Sequence, residues 1–321
     1  MPAPRSQDVL VKAARLYYLE DRSQGEVAKA LGLSRSSVSR ILAAAREQGV
    51  VEIRIHAPGV LSRVSDLEES LRRLFGIESA MVVARPQTRS PMDVVAEAAA
   101  RLFEERVVHL ESFGMSWGMT VDRFVEHVVL EPIHQSLKVC PLVGGLPSDV
   151  GPAGNTSLEV LANRSGATSF RFESPAVVES RRTWAALVTE SSIISAIDRA
   201  ARVELAFVGI GSYGQHNSRR VISAMHLTEQ EAGMLAKQDP VGDICGRFFD
   251  IDGQPLGLPT SERVIGITLQ KLAAVPQVWG LAGGVEKAPG VVGALRTGSL
   301  NGIVLDEDLA RAVVNLAGEE W

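Results

Sequence analysis

The stretch Ser23–Leu42, SQGEVAKALGLSRSSVSRIL, carries the spacing of a helix-turn-helix. Apolar side chains recur where two packed helices require them, at Val27, Leu31, Leu33, Val38 and Ile41. Gly32 lies at the turn, where a positive φ costs glycine little. Ser23 and Glu26 have the spacing of a capping box, and Ser34 can cap the second helix. The sequence therefore predicts two short helices joined by a glycine turn.

The second of these helices has short polar and basic side chains on its predicted exposed face. Such side chains near a helix start suit contact with base edges and phosphates in the major groove of double-stranded DNA. The predicted DNA contacts are Gln24, Ser34, Arg35, Ser36, Ser37, Ser39 and Arg40. Two alternatives are an ordinary helical hairpin and a helix-turn-helix that contacts a protein.

The charge is distributed unevenly between the head of the chain and its body. Residues 1–60 contain nine Lys and Arg and six Asp and Glu, a balance of +3. The remaining 24 Lys and Arg and 32 Asp and Glu give −8, so the whole chain has a net charge of −5. Only the head is therefore expected to meet DNA. Because +3 allows few phosphate contacts, several heads acting together would bind better than one.

Composition indicates a soluble globular protein with 321 residues, 45% of them hydrophobic and 22% charged. No 18-residue apolar run is present and the first ten residues lack the apolar core of a signal peptide, so no membrane partner is expected. Two well-separated cysteines, Cys140 and Cys245, do not form a disulfide framework, which favours the cytoplasm. No metal motif appears, and no metal or cofactor is predicted.

Three segments are expected along the chain: a helix-turn-helix domain over residues 1–56, a linker helix over 57–78 and a body over 79–321. A helix over residues 6–20 precedes the helix-turn-helix, and the alternation in Val50–Ile55 predicts a wing. The linker has an apolar seam at Val64, Leu67, Leu71 and Leu74. This seam can pair with a partner subunit or pack on its own body.

Beyond Ser79, apolar strands alternate with amphipathic helices. Predicted strands are 80–84, 110–115, 137–142, 169–172, 205–210, 241–248, 264–268, 278–282 and 302–305. This alternation predicts an α/β domain with a mainly parallel, Rossmann-like sheet. The fold class is thus a small winged helix-turn-helix followed by a large α/β effector-binding domain.

Several predicted strands run into glycine-rich turns, where open α/β sheets bind ligands. Such turns present free N–H groups to an anion when a helix follows. Candidate ligand contacts are Ser116, Trp117, Gly118, Met119, Thr120, Gly144, Gly145, Gly209, Gly211, Gly283, Gly284 and Lys287. The same glycines can instead serve tight turns. Asp250 follows a strand and can accept hydrogen bonds from sugar hydroxyls, or can form a turn before Gly253.

Two catalytic or cofactor patterns occur but lack their required context. Gly114–Gly118 fits G-x-S-x-G, and a hydrolase of that kind needs an acid and then a histidine later in the chain. No histidine follows His226, and the six histidines show no obvious pairing with an acid. Gly209–Gly214 fits G-x-G-x-x-G, but the polar stretch after it shows no apolar stripe for the expected helix. An enzyme of the sugar-phosphate isomerase class with a DNA-binding head remains an alternative, with Asp250 as its candidate base.

Taken together, the motifs resemble the SorC/DeoR-type family of bacterial sugar-responsive transcriptional regulators. In the head the resemblance rests on Leu19–Gly49. In the body it rests on FGMSWGMT (113–120), PLVGG (141–145), SPAVV (174–178), FVGIGS (207–212), VGDICGRFFDIDG (241–253) and AGGVEK with ALRTGSLNGIVLDEDLA (282–310).

The resemblance implies a regulator of a carbohydrate or sugar-alcohol catabolic operon. Its body would be similar to sugar-phosphate isomerases and deaminases, binding a phosphosugar without turning it over, and its chains would form tetramers. The turn Ser116–Thr120 would hold phosphate, and Asp250 and Lys287 would contact the ligand. Many relatives carry Gln-x-Asn after PLVGG, whereas this chain has Ala153-Gly154-Asn155 and retains only Asn155.

Overall fold

The structure, a computed structural model, describes residues 7–48, 50–51, 61–129, 136–146 and 155–318. The chain divides into two compact units, Met1–Val60 and Leu61–Trp321. Beyond Val51, the predicted wing lies outside the described residues. No described helix is long and apolar enough to cross a membrane.

The first unit contains α1 (Gln7–Ala14), a π-helical turn (Arg15–Leu19), α2 (Gln24–Leu31) and α3 (Arg35–Glu47). The predicted local signals are confirmed: the Ser23–Glu26 capping box forms, Gly32 has a φ of 64°, and the Ser34 hydroxyl accepts from the N–H of Ser37. The core of this unit is formed by Leu10, Ala13, Val27, Ala28, Val38, Ile41, Leu42 and Ala45. Leu33 is 37% exposed because it lies in the turn, outside both helices.

The second unit is built from alternating strands and helices. Its strands are β1 (Ser79–Val83), β2 (Ser112–Met115), β3 (Lys138–Pro141), β4 (Thr168–Ser169), β5 (Leu205–Ser212), β6 (Gly242–Ile244), β7 (Arg247–Phe249), β8 (Gln277–Ala282) and β9 (Gly302–Asp306). Its helices are α4 (Ser65–Phe75), α5 (Pro91–Val107), α6 (Met119–His127), α7 (Thr156–Ser165), α8 (Arg181–Leu187), α9 (Ser191–Ala200), α10 (His216–Ala224), α11 (Glu229–Ala236), α12 (Leu269–Leu272), α13 (Ala288–Arg296) and α14 (Glu307–Leu316).

The main sheet is parallel, with the strand order β1-β9-β8-β5-β2-β3-β4. Helices cover both of its faces, as the apolar strands require. One face packs against α5, α6 and α7 and contains the mutually contacting rings of Phe103, Phe113, Phe124 and Phe207. The other packs against α4, α13 and α14.

The seam of α4 packs on its own body. Leu67 and Leu71 are fully buried in the core of the second unit, and Val64 and Leu74 pack against that core. The exposed Arg63 binds the carboxylate of the buried Glu68 through two hydrogen bonds of 2.8 Å, and Glu68 also accepts from the N–H of Val82. Of the two alternatives for the seam, the structure therefore shows the intramolecular one.

Three strand predictions were wrong in whole or in part. The predicted strand 169–172 overlaps β4 at Ser169 alone, because the pairing of β4 with β3 ends at Val139 and Ser169. Residues 241–248 form a hairpin of β6 and β7, not one strand, because Cys245 and Gly246 take φ values of 52° and 74° and reverse the chain. Residues 264–268 form only isolated bridges, Val177 with Val264 and Val143 with Gly266. The backbone carbonyls in this region instead bind the side chain of Arg247, at Ser261, Val264, Gly266 and Ile267.

Candidate functional site

The order of strands places a topological switch point between β2 and β5. The chain passes from β2 outward through β3 and β4, and from β5 outward through β8 and β9 in the opposite direction. The turns that follow β2 and β5 therefore diverge and leave a crevice at the carboxyl edge of the sheet, where open α/β sheets bind ligands.

A small cavity of about 40 Å³, here called the switch cavity, lies at this crevice. It brings together many of the residues predicted to bind ligand: Trp117, Gly118, Met119, Thr120, Gly209, Gly211 and Lys287. It also includes residues that the sequence analysis did not select: Ile210, Ser212, Gln215, His216, Asn217, Ser218, Asp243 and Cys245.

Lys287 supplies a buried cation to the switch cavity. A 3-10 turn over Val285–Lys287 follows Gly284, whose φ of 104° turns the chain after β8. The residue is only 7% exposed, and burial lowers the pKa of its amine, against the opposing effect of nearby carboxylates. No described residue forms an ion pair with it. An anion entering the cavity would therefore meet a cation that lacks a close partner.

Asp243 faces the same cavity from β6. Burial raises the pKa of its carboxyl to about 6. Its Oδ2 accepts from the N–H of Gly246 at 3.1 Å, whereas its Oδ1 has no hydrogen-bond partner among the described residues. Ser218 lies near enough to lower this pKa against the effect of burial, yet its Oγ, like that of Ser212, has no hydrogen-bond partner among the described residues. These unpartnered buried oxygens are available to a polar ligand.

Ser116 is used inside the protein and does not line the cavity. Its Oγ accepts from the N–H of Gly209 at 3.0 Å and donates to the carbonyl of Trp117 at 3.2 Å. The indole of Trp117 in turn donates to the carbonyl of Gly144 at 3.1 Å. Ser116 and Gly144 thus orient the turn that carries Trp117 and Gly118.

Other predicted contacts lie outside the switch cavity. Gly145 and Asn155 are close to each other, since a Cβ at Gly145 would lie 3.9 Å from the Asn155 amide nitrogen. The N–H of Gly284 donates to Asp306 at 2.8 Å, while a Cβ at Gly283 would meet the backbone of Pro91.

Asp250 also lies elsewhere, and its carboxylate is engaged in its own turn. Its Oδ1 accepts from the N–H groups of Asp252 and Gln254 at 3.0 and 2.8 Å. Of the two roles predicted for Asp250, ligand contact and turn formation, these hydrogen bonds correspond to turn formation.

Two sequence signals bear on the residues that were missed. An acid at position 243, between Gly242 and Ile244 in an apolar strand, is unusual unless it is partnered or functional. The G-x-G-x-x-G pattern is followed by a helix, α10, contrary to our expectation. That helix is short and polar and buries Ser218 and Val221, too few positions to give a visible stripe.

A larger cleft of about 1290 Å³ adjoins the switch cavity and shares Trp117, Gly118, Met119, His216 and Asn217 with it. Its walls add the cationic side chains of Arg123, Arg219 and Arg220. The walls also carry the carboxylates of Asp122, Glu126 and Glu179, and Glu126 pairs with Arg123 at 3.1 Å. The cleft therefore offers room and charged groups of both signs beside the switch cavity. Among the described residues, no three His, Cys, Asp or Glu side chains group as a metal site.

In the first unit, the start of α3 presents the predicted DNA face. Ser34, Arg35, Ser36, Ser39 and Arg40 are exposed, and Ser37 is half-buried. Gln24, the first residue of α2, is also half-buried. The side chain of Arg40 donates to the carbonyl of Ser36 at 3.4 Å. Two cations and several short hydroxyls thus share one exposed surface.

Comparison with known protein families gives a match for each of the two units of the chain. Residues 61–315 match the family model described as "Putative sugar-binding domain", and residues 3–48 match "Sigma-70, region 4". A helix-turn-helix head joined to a sugar-binding body defines a transcriptional regulator. The chain belongs to the SorC/DeoR-type family of sugar-responsive transcriptional regulators, as the sequence motifs indicated.

Similar proteins include the transcriptional regulator LsrR of Enterobacter sp. (strain 638), 30% identical over 97% of this chain and 94% of the relative. The sorbitol operon regulator of Klebsiella pneumoniae is 27% identical over 95% of this chain and 97% of its own length. The crystal structure of the full-length Klebsiella pneumoniae protein SorC superimposes with a TM-score of 0.71 over 96% of this chain and 100% of that one. These relatives are regulators, which favours a regulator over the alternative enzyme.

Proposed function

We propose that this regulator controls a carbohydrate or sugar-alcohol catabolic operon in the cytoplasm and responds to a phosphorylated sugar. The phosphate group occupies the switch cavity beside Lys287 and the backbone of Gly118–Thr120 at the start of α6. The sugar extends into the larger cleft. Binding shifts the oligomer, which we propose is a tetramer, between arrangements that differ in DNA affinity.

The observation that carries this proposal is the buried, unpaired amine of Lys287. A buried charge is costly unless something compensates it, and the nearby unpartnered oxygens show that the cavity is polar. A phosphate dianion would compensate the amine and accept hydrogen bonds from the N–H groups at a helix start. Ser212, Ser218 and Asp243 remain for hydroxyl groups.

At the DNA, we propose that Arg35, Ser36, Ser37, Ser39 and Arg40 contact bases and phosphates, with Gln24 and Ser34 at the edge of the contact surface. The exposure of most of these side chains at the start of α3 supports this arrangement. The charge of only +3 in residues 1–60 supports cooperation between several heads.

Thermal unfolding with a panel of phosphorylated pentoses, hexoses and sugar alcohols tests the effector, with each unphosphorylated counterpart beside it. A ligand that binds only the folded protein adds about 2.7 kcal/mol at a hundredfold excess over its Kd. We expect at least one phosphorylated compound to stabilise the full chain and its counterpart to do so much less.

The variant Lys287→Met should remove the part of this response that arises in the switch cavity, whereas Lys237→Met, which removes an exposed amine outside the cavities, should retain the full response. A flat response across the panel, or an undiminished response in Lys287→Met, would refute the proposed effector site.

A further inference from the structure

A second basic pocket lies at the opposite edge of the sheet from the switch cavity. β2 and β3 are parallel and begin at Ser112 and Lys138, so these residues mark the amino edge. A cavity of about 390 Å³ opens there, lined in part by Lys138, Arg199 and Arg202. It shares no residue with the switch cavity or with the larger cleft.

The carboxylates around this pocket already have partners. Asp198, which lines it, binds the amine of Lys271 at 2.9 Å. Glu204 follows the pocket residue Val203 in sequence, and its carboxylate accepts from the backbone N–H groups of Glu111 and Ser112 at 2.7 and 3.3 Å. Among the described residues, no carboxylate forms an ion pair with Lys138, Arg199 or Arg202.

One of the three cations is held in place by packing. The guanidinium of Arg199 stacks over the ring of Phe170 at 4.1 Å from the ring centroid, which orients its N–H groups without using them. Lys138 and Arg202 also line the pocket, and both are exposed. The positive potential reaches the pocket wall, where both Arg199 and Lys138 oppose the rise in the pKa of the Cys140 thiol.

We propose that this pocket binds a small phosphate-containing anion, independently of the effector site. An oriented guanidinium together with two exposed cations supplies the donors and the positive charge that bind a phosphate group. This concentration of cations stands out because the chain beyond residue 60 has a net charge of −8. Ser195 adds a hydroxyl to the lining.

Calorimetric titration of the full chain with pyrophosphate tests the site, using Lys287→Met throughout so that the switch cavity does not contribute. We expect saturable binding that weakens at least tenfold when Lys138→Gln and Arg202→Gln are added. These exposed side chains are removed without disturbing the core. A matched control adds Arg171→Gln and Lys237→Gln, two exposed cations outside the pocket, and should retain binding.

Absence of saturable binding in the Lys287→Met protein would overturn the proposal, as would equal losses in the two sets of substitutions. Parallel titrations with inorganic phosphate and with a pentose phosphate separate the sources of the anion. Equal affinity for both assigns the site to free phosphate, and tighter binding of the sugar phosphate assigns it to a phosphorylated metabolite.

Discussion

Gly211 on β5 and Asp243 on β6 face each other so closely that a Cβ at Gly211 would lie 2.1 Å from Oδ1 of Asp243. The glycine was selected from the sequence as a turn residue near a ligand. In the structure its lack of a side chain makes room for a buried carboxylate. The two residues together define one wall of the switch cavity.

Gly211→Ala should therefore damage both stability and effector binding. The added methyl group must displace the Asp243 carboxylate, a form of overpacking that typically costs about 1–3 kcal/mol. Urea unfolding measures the loss, and titration with the stabilising sugar phosphate measures the affinity. Gly233→Ala is the control, because Gly233 lies in α11 with no atom within 4 Å of an added Cβ. It should be neutral or stabilising, and a similar loss in both variants would contradict the proposed crowding.

Asp243 should also make stability depend on pH. Its pKa is about 6 in the folded chain and 3.8 in the reference state, so folding takes up a proton between these values. The stabilisation from this carboxyl is therefore fully present only below the lower pKa, and it is lost as pH rises through about 6. Between pH 8 and pH 5 the group should add about 1 kcal/mol to the free energy of unfolding.

The test of this dependence is the difference in unfolding free energy between the wild-type protein and Asp243→Asn at several pH values. The amide has no proton to take up, so the difference should change by about 1 kcal/mol over that range. Asp252→Asn, which changes an exposed carboxylate, serves as the control for general charge effects. A constant difference between wild type and Asp243→Asn would exclude a raised pKa at Asp243.

Arg247 should be a strong contributor to the stability of the second unit. Its guanidinium donates to four backbone carbonyls, at 2.9–3.3 Å, and burial lowers its pKa to about 10. Arg247→Met leaves those acceptors unpaired and should cost about 3–5 kcal/mol, with Arg247→Lys costing less. Urea unfolding measures both. Arg296→Met, which loses one bond to the carbonyl of Ile251 and a 3.6 Å ion pair with the exposed Asp252, should change stability far less, and equal effects would contradict this role.

The features predicted correctly from the sequence are those that involve residues close together in the chain. The caps at Ser23 and Ser34 and the turn at Gly32 act within a few residues, and all three were predicted correctly. The pairing of Asp243 with Gly211 depends on a hairpin whose turn, Cys245-Gly246, lacks the usual Asn or Asp. Arg247 is satisfied by carbonyls up to 20 residues away, which no short pattern reveals.

The exposed cations of α3 give a prediction that tests whether this helix contacts DNA phosphates directly. Arg35→Ala together with Arg40→Ala removes two exposed cations from the start of α3. If both contact phosphates, the slope of log K against log salt should fall by about 1.8 per head, because each contact contributes about 0.9. The operator is selected from a random duplex library by the wild-type protein, and affinity is measured at several salt concentrations.

The matched control is Lys12→Ala with Arg15→Ala, which removes the same charge from exposed positions on α1 and in the π-helical turn after it. If the arginines acted only through the long-range positive potential of the first unit, both double variants would reduce the salt slope equally, because each removes two positive charges from that unit. Direct contact by α3 predicts a clearly larger change for the Arg35 and Arg40 pair. Circular dichroism on each variant ensures that the helices remain formed, so an unchanged slope in the α3 variant would exclude this face as the DNA contact.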